Sequence, residues 1–498
     1  MPKIRRLLCC ILIISQLFAI TTFAEPPAWP SDTGIMAESG AVIDVDSGTL
    51  IYGQNCINNA YPPASITKLL TALIVLENCE LDEVVTFSDT AMLSVEADSG
   101  NKLSLVAGDQ LSVEDCLYAL LLFSVNQSAN ALAEHTAGSI PAFVDMMNAK
   151  AAQLGCSEKT HFDNPSGLNG DTQKVTAYDM ALIAKAAFNN EELLKISSSL
   201  NHKIAPTVNN PTGVSFRHEH RLIYTTDPSS EYYYPPAVAG KTGYLRLAGN
   251  TLVTYAEKDG RRLISIILKG SYGQYFVDGK NLLEFGFSRF KNLVIAEHES
   301  HYVTGEEPVL INDVSYHASD LMIEPERVIT LPNNANFEDA MLTLEGLPSD
   351  HPENAVALLR YSYNDRQIGK AFLLLKDSAK RPGELTPDSE SPSGSEENLS
   401  DASVPDQSED DGFSFHMPSL PVLAIGVAAG FALLAVFSAI WVFYSKRKEA
   451  RDLAARREAR RRRLQASGEE AEFQRLMEIR RNKDAIARQK RNDSSKED

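Results

Sequence analysis

The chain has 498 residues, 44% of them apolar and 23% charged, a composition that can bury real cores and excludes disorder throughout, a collagen-like repeat or a knottin-like scaffold. Its 47 basic and 66 acidic side chains leave a formal charge of −19, which argues against a protein drawn as a whole to nucleic acid. The charge is unevenly spread: residues 1–24 carry Lys3, Arg5 and Arg6 with no acid, residues 445–498 carry 18 basic against 11 acidic residues, and the middle holds 26 against 55, a net of −29.

In chain order, residues 1–24 read as a secretory signal peptide: a basic start, an apolar run from Leu7 to Ile20, and small residues ending at Ala24, the natural cleavage point. No apolar-small-small triplet precedes Cys9-Cys10, so a lipoprotein anchor is discounted. From Ser39, two alternating apolar runs joined by Asp46-Ser47-Gly48 predict a hairpin. Pro62-Pro63 then stop the extended segment, and Ile66, Leu69, Leu70, Leu73, Ile74 and Leu76 recur at helical spacing, which puts Ser65 at a helix start. Val113–Leu122, Ala129–Ala137 and Ile140–Gln153 read as helices. Thr251–Glu257 and Arg262–Leu268 read as two strands joined by Lys258-Asp259-Gly260. Strands at both ends of a helical middle predict a mixed α/β fold whose sheet is assembled from distant parts of the chain.

After residue 295 the pattern changes to short strands (HYVTG, EPVLI, RVITL, AMLTLEGL, AVALLRYSY, IGKAFLLLK), predicting a small β-rich domain over 296–376. Residues 377–416 read as a disordered stalk, with ten acids and no base between Arg381 and Phe415. Residues 420–444 contain an uncharged apolar run long enough to cross a ~30 Å hydrocarbon core. Lys446, Arg447 and Lys448 follow at once, which places the 445–498 tail in the cytoplasm and the bulk of the chain outside. The tail reads as a charged helix resting on anionic lipid, with a partner-binding coil as the alternative. Four cysteines remain after the signal, Cys56, Cys79, Cys116 and Cys156, none at CxxC spacing, and they read as scattered thiols whose pairing the sequence leaves open. His218 and His220 have no third ligand in sequence reach, and no glycine-rich phosphate loop is present, so neither metal nor cofactor is expected.

A serine becomes a nucleophile when a base takes its proton, and a lysine three residues on along a helix lies on the same face. Ser65-Ile66-Thr67-Lys68 has that spacing, and a helix N-terminus also favours negative charge on the serine oxygen. The spacing alone is weak, since Ser288…Lys291 and Ser445…Lys448 share it. Ser65 is set apart by Ser124-Val125-Asn126 and Lys241-Thr242-Gly243, which follow in the order SxxK, SxN, KTG. Ser99-Gly100-Asn101 and Ser128-Ala129-Asn130 also match SxN, but Ser124 follows an apolar helix and opens the run SVNQSANALAEH, where a loop between helices can turn a hydroxyl and an amide inward together.

With these motifs, PASITKLLTALIVLE, SVNQSANALAEH, FDNPSGL, TAYDMALIAKAAF and GKTGYLRLAGNTLV resemble the serine D-Ala-D-Ala carboxypeptidases, the low-molecular-mass penicillin-binding proteins, from about Met36 to Phe287. The resemblance implies a β-lactamase/transpeptidase-like domain over 36–295, an antiparallel sheet with a helical subdomain, ahead of the small β domain. It implies Ser65 as the acyl-accepting nucleophile, Lys68 as its proton acceptor, and Ser124 as the relay to the leaving D-alanine. Asn126 would bond the substrate amide carbonyl. Lys241 and Thr242 would hold the terminal carboxylate, and Gly243 would keep the strand edge open. Backbone N–H groups of Ser65 and Tyr244 would form the oxyanion hole. Two lysines near one serine disfavour each other's charge, so Lys68 could be neutral enough to act as base.

Three departures from the family pattern stand out: Gln127 where an acid is common after SxN, Leu245-Arg246 where Thr-Asp often follows the KTG strand, and no Arg between Arg262 and Arg289, leaving Arg246 or Lys269 as substitutes for a substrate-facing arginine. The function implied is removal of the terminal D-alanine from peptidoglycan stem pentapeptides, with β-lactams as inhibitors and the catalytic part of a single-pass bacterial membrane protein outside the cell. Two alternatives stay open, a β-lactamase-like hydrolase and a catalytically idle peptidoglycan-binding protein that signals through its tail.

Overall fold

The computed structural model describes residues 26–376, apart from 97, 98 and 313. The signal segment, the stalk, the apolar run at 420–444 and the basic tail lie outside the described residues. Among the described residues, no helix is long and apolar enough to cross a membrane.

The first half is a five-stranded antiparallel sheet. Its strands are β1 (Ser39–Asp44), β2 (Leu50–Gln54), β3 (Ala237–Leu245), β4 (Gly249–Lys258) and β5 (Arg261–Gly270), in the spatial order β2-β1-β5-β4-β3. The chain therefore leaves the sheet after β2 and returns almost 200 residues later, as strands at both ends of a helical middle require. Both expected hairpins form. Asp259 and Gly260, at φ 51° and 75°, make the two-residue turn between β4 and β5, the left-handed pair that matches strand twist.

Every residue of β1 is buried, and so is β5 from Leu263 to Leu268, because both faces of the sheet are covered. Ala41, Ile43, Ile264, Ile266 and Leu268 face the helical side, while Val42, Leu263 and Ile267 face the opposite one. The helical side contains α1 (Lys68–Asn78), α2 (Val113–Leu122), α3 (Asn126–Ala137), α4 (Ile140–Gln153), α5 (Ala177–Phe188) and α6 (Glu191–Ser198); α7 (Gln274–Arg289) covers the other face. The first eight residues of α1 are all buried, the pattern of a helix enclosed on every side. Ser112 caps α2 through the Asp115 amide, and Thr176 caps α5 through that of Asp179, both at 3.0 Å. Helix α3 begins at Asn126, three residues ahead of the sequence expectation.

Beyond α7 the chain is built of short antiparallel strands. They are β6 (Phe290–Val294), β7 (Pro308–Ile311), β8 (Val314–His317), β9 (Leu321–Ile323), β10 (Val328–Pro332), β11 (Met341–Glu345), β12 (Ala355–Tyr363) and β13 (Arg366–Leu375). The largest of these sheets runs β9-β13-β12-β11, with β6 paired to β10 and β7 to β8. Residues 301–305, expected as a strand, form turns instead: the Val303 and Thr304 amides and the Thr304 hydroxyl all bond Ser300 O, which takes both amides away from a ladder.

A polar joint connects the two halves. Buried Asp44 accepts the Asp46 and Ser47 amides through Oδ1 and pairs through Oδ2 with Arg261, at 3.1 Å, and Asn292, at 3.0 Å. Ser47 meets Thr330 hydroxyl to hydroxyl at 2.7 Å, and the Thr49 hydroxyl donates to Ile368 O. Trp29 packs against both cores, its ring centroid 4.8 Å from that of Phe290 and its Nε1 donating to Ile51 O.

Candidate active site

The segment Ala64–Thr67 is a 3-10 turn that runs directly into α1, so Ser65 precedes the α-helix by one tight turn. In a 3-10 turn residues three apart eclipse one another, which aims Lys68 at Ser65. Lys68 Nζ donates to Ser65 Oγ at 3.0 Å, to Asn126 Oδ1 at 2.8 Å and to the carbonyl of Ser166. Ser65 is half-buried, whereas Lys68 is fully buried with no carboxylate partner among the described residues. Burial is the main force pulling the Lys68 pKa well below the usual lysine range; the Lys241 charge adds to it, then that of Lys102, with Glu219 opposing. The expected lysine–lysine effect is present, second to desolvation.

Ser124 lies between α2 and α3 at φ 60°, and Ala64, just before Ser65, lies at φ 53°. Left-handed backbone costs a non-glycine residue about 1 kcal/mol or more and tends to be retained where geometry matters to function. Both sites adjoin a hydroxyl that lines the same cleft of about 230 Å3, together with Asn126, Thr242, Gly243, Tyr244, Lys102 and Glu219. Lys241, on β3, is buried beside it with Nζ donating to Thr242 O; burial lowers its pKa to about 7, Glu219 working against the shift and Lys102 with it.

Strand β3 is the sheet edge, and its free side runs past the Ser65 turn. A Cβ on Gly243 would sit 2.8 Å from the Ser65 nitrogen and 2.4 Å from Thr251 Oγ1, so this position requires glycine if the strand is to pass so close. Thr251 braces the turn from behind by donating to Pro63 O at 2.8 Å. The FDNPSGL segment closes the other side. Pro165 O accepts the Thr71 hydroxyl, Ser166 O accepts Lys68, and Gly167, at φ 82°, lies where a side chain would strike Ala64 O.

Ser65, Lys68, Ser124, Asn126, Lys241, Thr242 and Gly243 are thus brought together from three separate parts of the fold. Among the competing matches Ser99 also lines the cleft, but its Asn101 turns away and bonds Leu105 through both its oxygen and its nitrogen; Asn130 donates to Ala91 O, and Ser288 is in the last turn of α7 while Lys291 belongs to β6. Ser445 and Lys448 lie outside the described residues. Gln127 donates to Gly100 O at 3.0 Å, pinning the loop that carries Lys102, a bond that a carboxylate could not make.

Neither suggested substitute arginine position lines the cleft. Arg246 is exposed and Lys269 donates to Leu247 O. Instead Lys102 reaches Glu219 at 2.6 Å and Phe123 O at 2.8 Å, while Arg217 and Arg221 line an adjoining cleft that shares Thr242, Glu219 and Tyr275. Arg221 lies against Tyr232 and donates to the Tyr272 hydroxyl, with no carboxylate partner among the described residues. These residues carry no local motif, and only the fold brings them to the site.

His218 and His220 are buried, not poised around an ion: His218 Nε2 meets Ser197 O and His220 Nε2 meets Thr254 Oγ1, both at 3.0 Å. Burial pushes His218 down to about 4 and His220 well below the ordinary histidine value. All four described cysteines are free thiols.

The family model for D-alanyl-D-alanine carboxypeptidases matches residues 24–271. The chain is 34% identical over 258 residues to the D-alanyl-D-alanine carboxypeptidase DacB2 of Mycobacterium tuberculosis, covering 51% of this chain and 82% of that one. It is 30% identical over 293 residues to DacF of Bacillus subtilis, also a D-alanyl-D-alanine carboxypeptidase, covering 58% and 72%. In fold it is similar to penicillin-binding protein 5 of Haemophilus influenzae, with a TM-score of 0.53 over 70% of this chain and 97% of the other at 24% identity. On these grounds the chain belongs to the D-alanyl-D-alanine carboxypeptidase family and is a serine-type carboxypeptidase.

Proposed function

We propose that the protein removes the terminal D-alanine from peptidoglycan stem pentapeptides through an acyl-enzyme on Ser65, and that penicillins acylate the same oxygen. The reading rests above all on the 3.0 Å contact between Ser65 Oγ and a lysine whose burial disfavours its charge. Neutral Lys68 takes the Ser65 proton as Oγ attacks the carbonyl of the penultimate D-alanine. The negative oxygen so formed accepts from the N–H groups of Ser65 and Tyr244. The C–N bond then breaks, the proton reaches the leaving amine by way of Ser124, and water hydrolyses the ester.

Asn126 holds the substrate amide, and Lys241 with Thr242 holds the terminal carboxylate. A charged lysine and a hydroxyl side by side on a free strand edge suit an extended peptide ending in an acid. Residues 1–24 direct export, 420–444 anchor the chain, 377–416 hold the catalytic domain (36–295) and the β domain (296–376) off the membrane, and 445–498 remain in the cytoplasm.

The test is to incubate the purified full chain with a D-Ala-D-Ala-ended stem pentapeptide, measure free D-alanine, and determine the intact mass after benzylpenicillin. Release and a stoichiometric adduct, both lost in Ser65→Ala, are expected. Release that survives Ser65→Ala overturns the assignment, and rapid multiple turnover of penicillin favours a lactamase instead.

A further inference from the structure

Helices α1 and α3 carry Lys68 and Asn126 at their N-terminal ends, and at their other ends they approach each other again. There Cys79, the residue that ends α1, and His135, in the last turn of α3, meet Glu83 from the loop between them. One ligand atom from each lies within 4.8 Å of the other two. His135 Nε2 is 2.8 Å from Glu83 Oε2. The other carboxylate oxygen, Oε1, accepts the Glu80 amide at 2.7 Å, which fixes the carboxylate plane. Among the described residues the hydrogen-bond partner of Cys79 Sγ is Thr136 Oγ1, at 3.4 Å, a weak bond that a metal would readily displace. Cys79 and His135 stand at the opposite ends of the helices that carry Lys68 and Asn126, so the three residues lie away from the cleft itself.

We propose that Cys79, Glu83 and His135 form a site for a zinc-like divalent cation. One thiolate, one imidazole and one carboxylate, with a fourth position left to water, is a donor set suited to tetrahedral Zn2+. An ordinary ion pair accounts for His135 and Glu83 and gives the sulfur no role beyond its weak bond to Thr136. The Glu80 amide supplies the outer hydrogen bond that orients a ligating carboxylate. Binding forms three metal–ligand bonds and displaces the Cys79 thiol proton, with the proton that His135 Nε2 shares with Glu83 moving to Nδ1 or to solvent, so affinity rises with pH. The cation ties the C-terminal ends of the two helices whose N-terminal ends present Lys68 and Asn126. It acts as a brace behind the active site and takes no part in acyl transfer.

The test uses the purified full chain, stripped with a chelator under reducing conditions and titrated with Co2+ and then Zn2+. One equivalent of Co2+ should give a near-ultraviolet thiolate-to-cobalt charge-transfer band that Zn2+ abolishes, and Zn2+ should raise Tm. Cys79→Ser should remove the band, and His135→Gln should weaken binding at least about tenfold. The proposal is overturned by the absence of a band in the wild type, or by a band of unchanged strength in Cys79→Ser. His135→Gln sits at a partly exposed helix end, so it covers the case in which Cys79→Ser fails to fold: unaltered affinity there also overturns the site.

Discussion

The sheet-and-helix half before Phe290 and the strands after it share antiparallel pairing, yet they bury different things. The first half encloses Lys68, Lys241, Asn126, Gln127 and both His218 and His220, whereas after residue 295 Thr330 is the lone buried polar residue among those described. Burial of an amine costs several kcal/mol unless the group gives up its charge, and folded proteins tolerate this chiefly where chemistry needs it. The contrast teaches that the first half trades stability for reactivity, while the second is built for packing.

Four measurements would break or sharpen that contrast. The largest effect is expected from Lys68→Arg, which puts a permanent cation where the neutral base stood: D-alanine release should fall by about 10²- to 10⁴-fold, the usual worth of a positioned general base. Gly243→Ala should follow, at about 10²-fold in kcat with the fold intact, because its methyl group would press on the Ser65 amide. In the second half, Leu359→Ala empties a fully buried position and should cost about 2–5 kcal/mol in denaturant unfolding. Its kcat/KM, measured below the unfolding transition, should be unchanged; a matching loss of activity would show that the β strands shape the active site.

The smallest effect concerns pH. Lys241, lowered to about 7, is charged below that pH and neutral above it, so kcat/KM for a carboxylate-ended peptide should decline as pH rises through the neutral range. Glu219 favours the charged form, so Glu219→Gln should move this decline to lower pH. A descending limb that stays in place in Glu219→Gln would remove Lys241 from the carboxylate-binding role.

Much of this was legible in the sequence because it is local. Helices Val113–Leu122 and Ile140–Gln153 begin and end where apolar spacing and capping residues place them, and both sheet hairpins announce themselves by turn residues. The order of the three motifs carried the candidate site. Residues 301–305 misled because alternation by itself cannot tell whether an amide will find a partner strand or the carbonyl of Ser300. Lys102, Glu219, Arg217 and Arg221 were illegible for a related reason. Each is a single charged side chain in a connecting segment, and what brings it to the cleft is the path of the whole chain. Gln127 looked like a loss of family character and is a donor that holds the Lys102 loop.

The strap at the N-terminal side has a kinetic consequence. Pro27 O accepts the Tyr363 hydroxyl and the Asn364 amide across 336 and 337 residues, and Trp29 is wedged between the two cores. Contacts of such long sequence separation form late, since the loop they close must first lose its entropy. Residues synthesised near the start must therefore wait for β12 before the seam can close. A chain interrupted before that strand would leave Trp29 and the inner faces of both cores exposed, a ready substrate for aggregation or proteolysis.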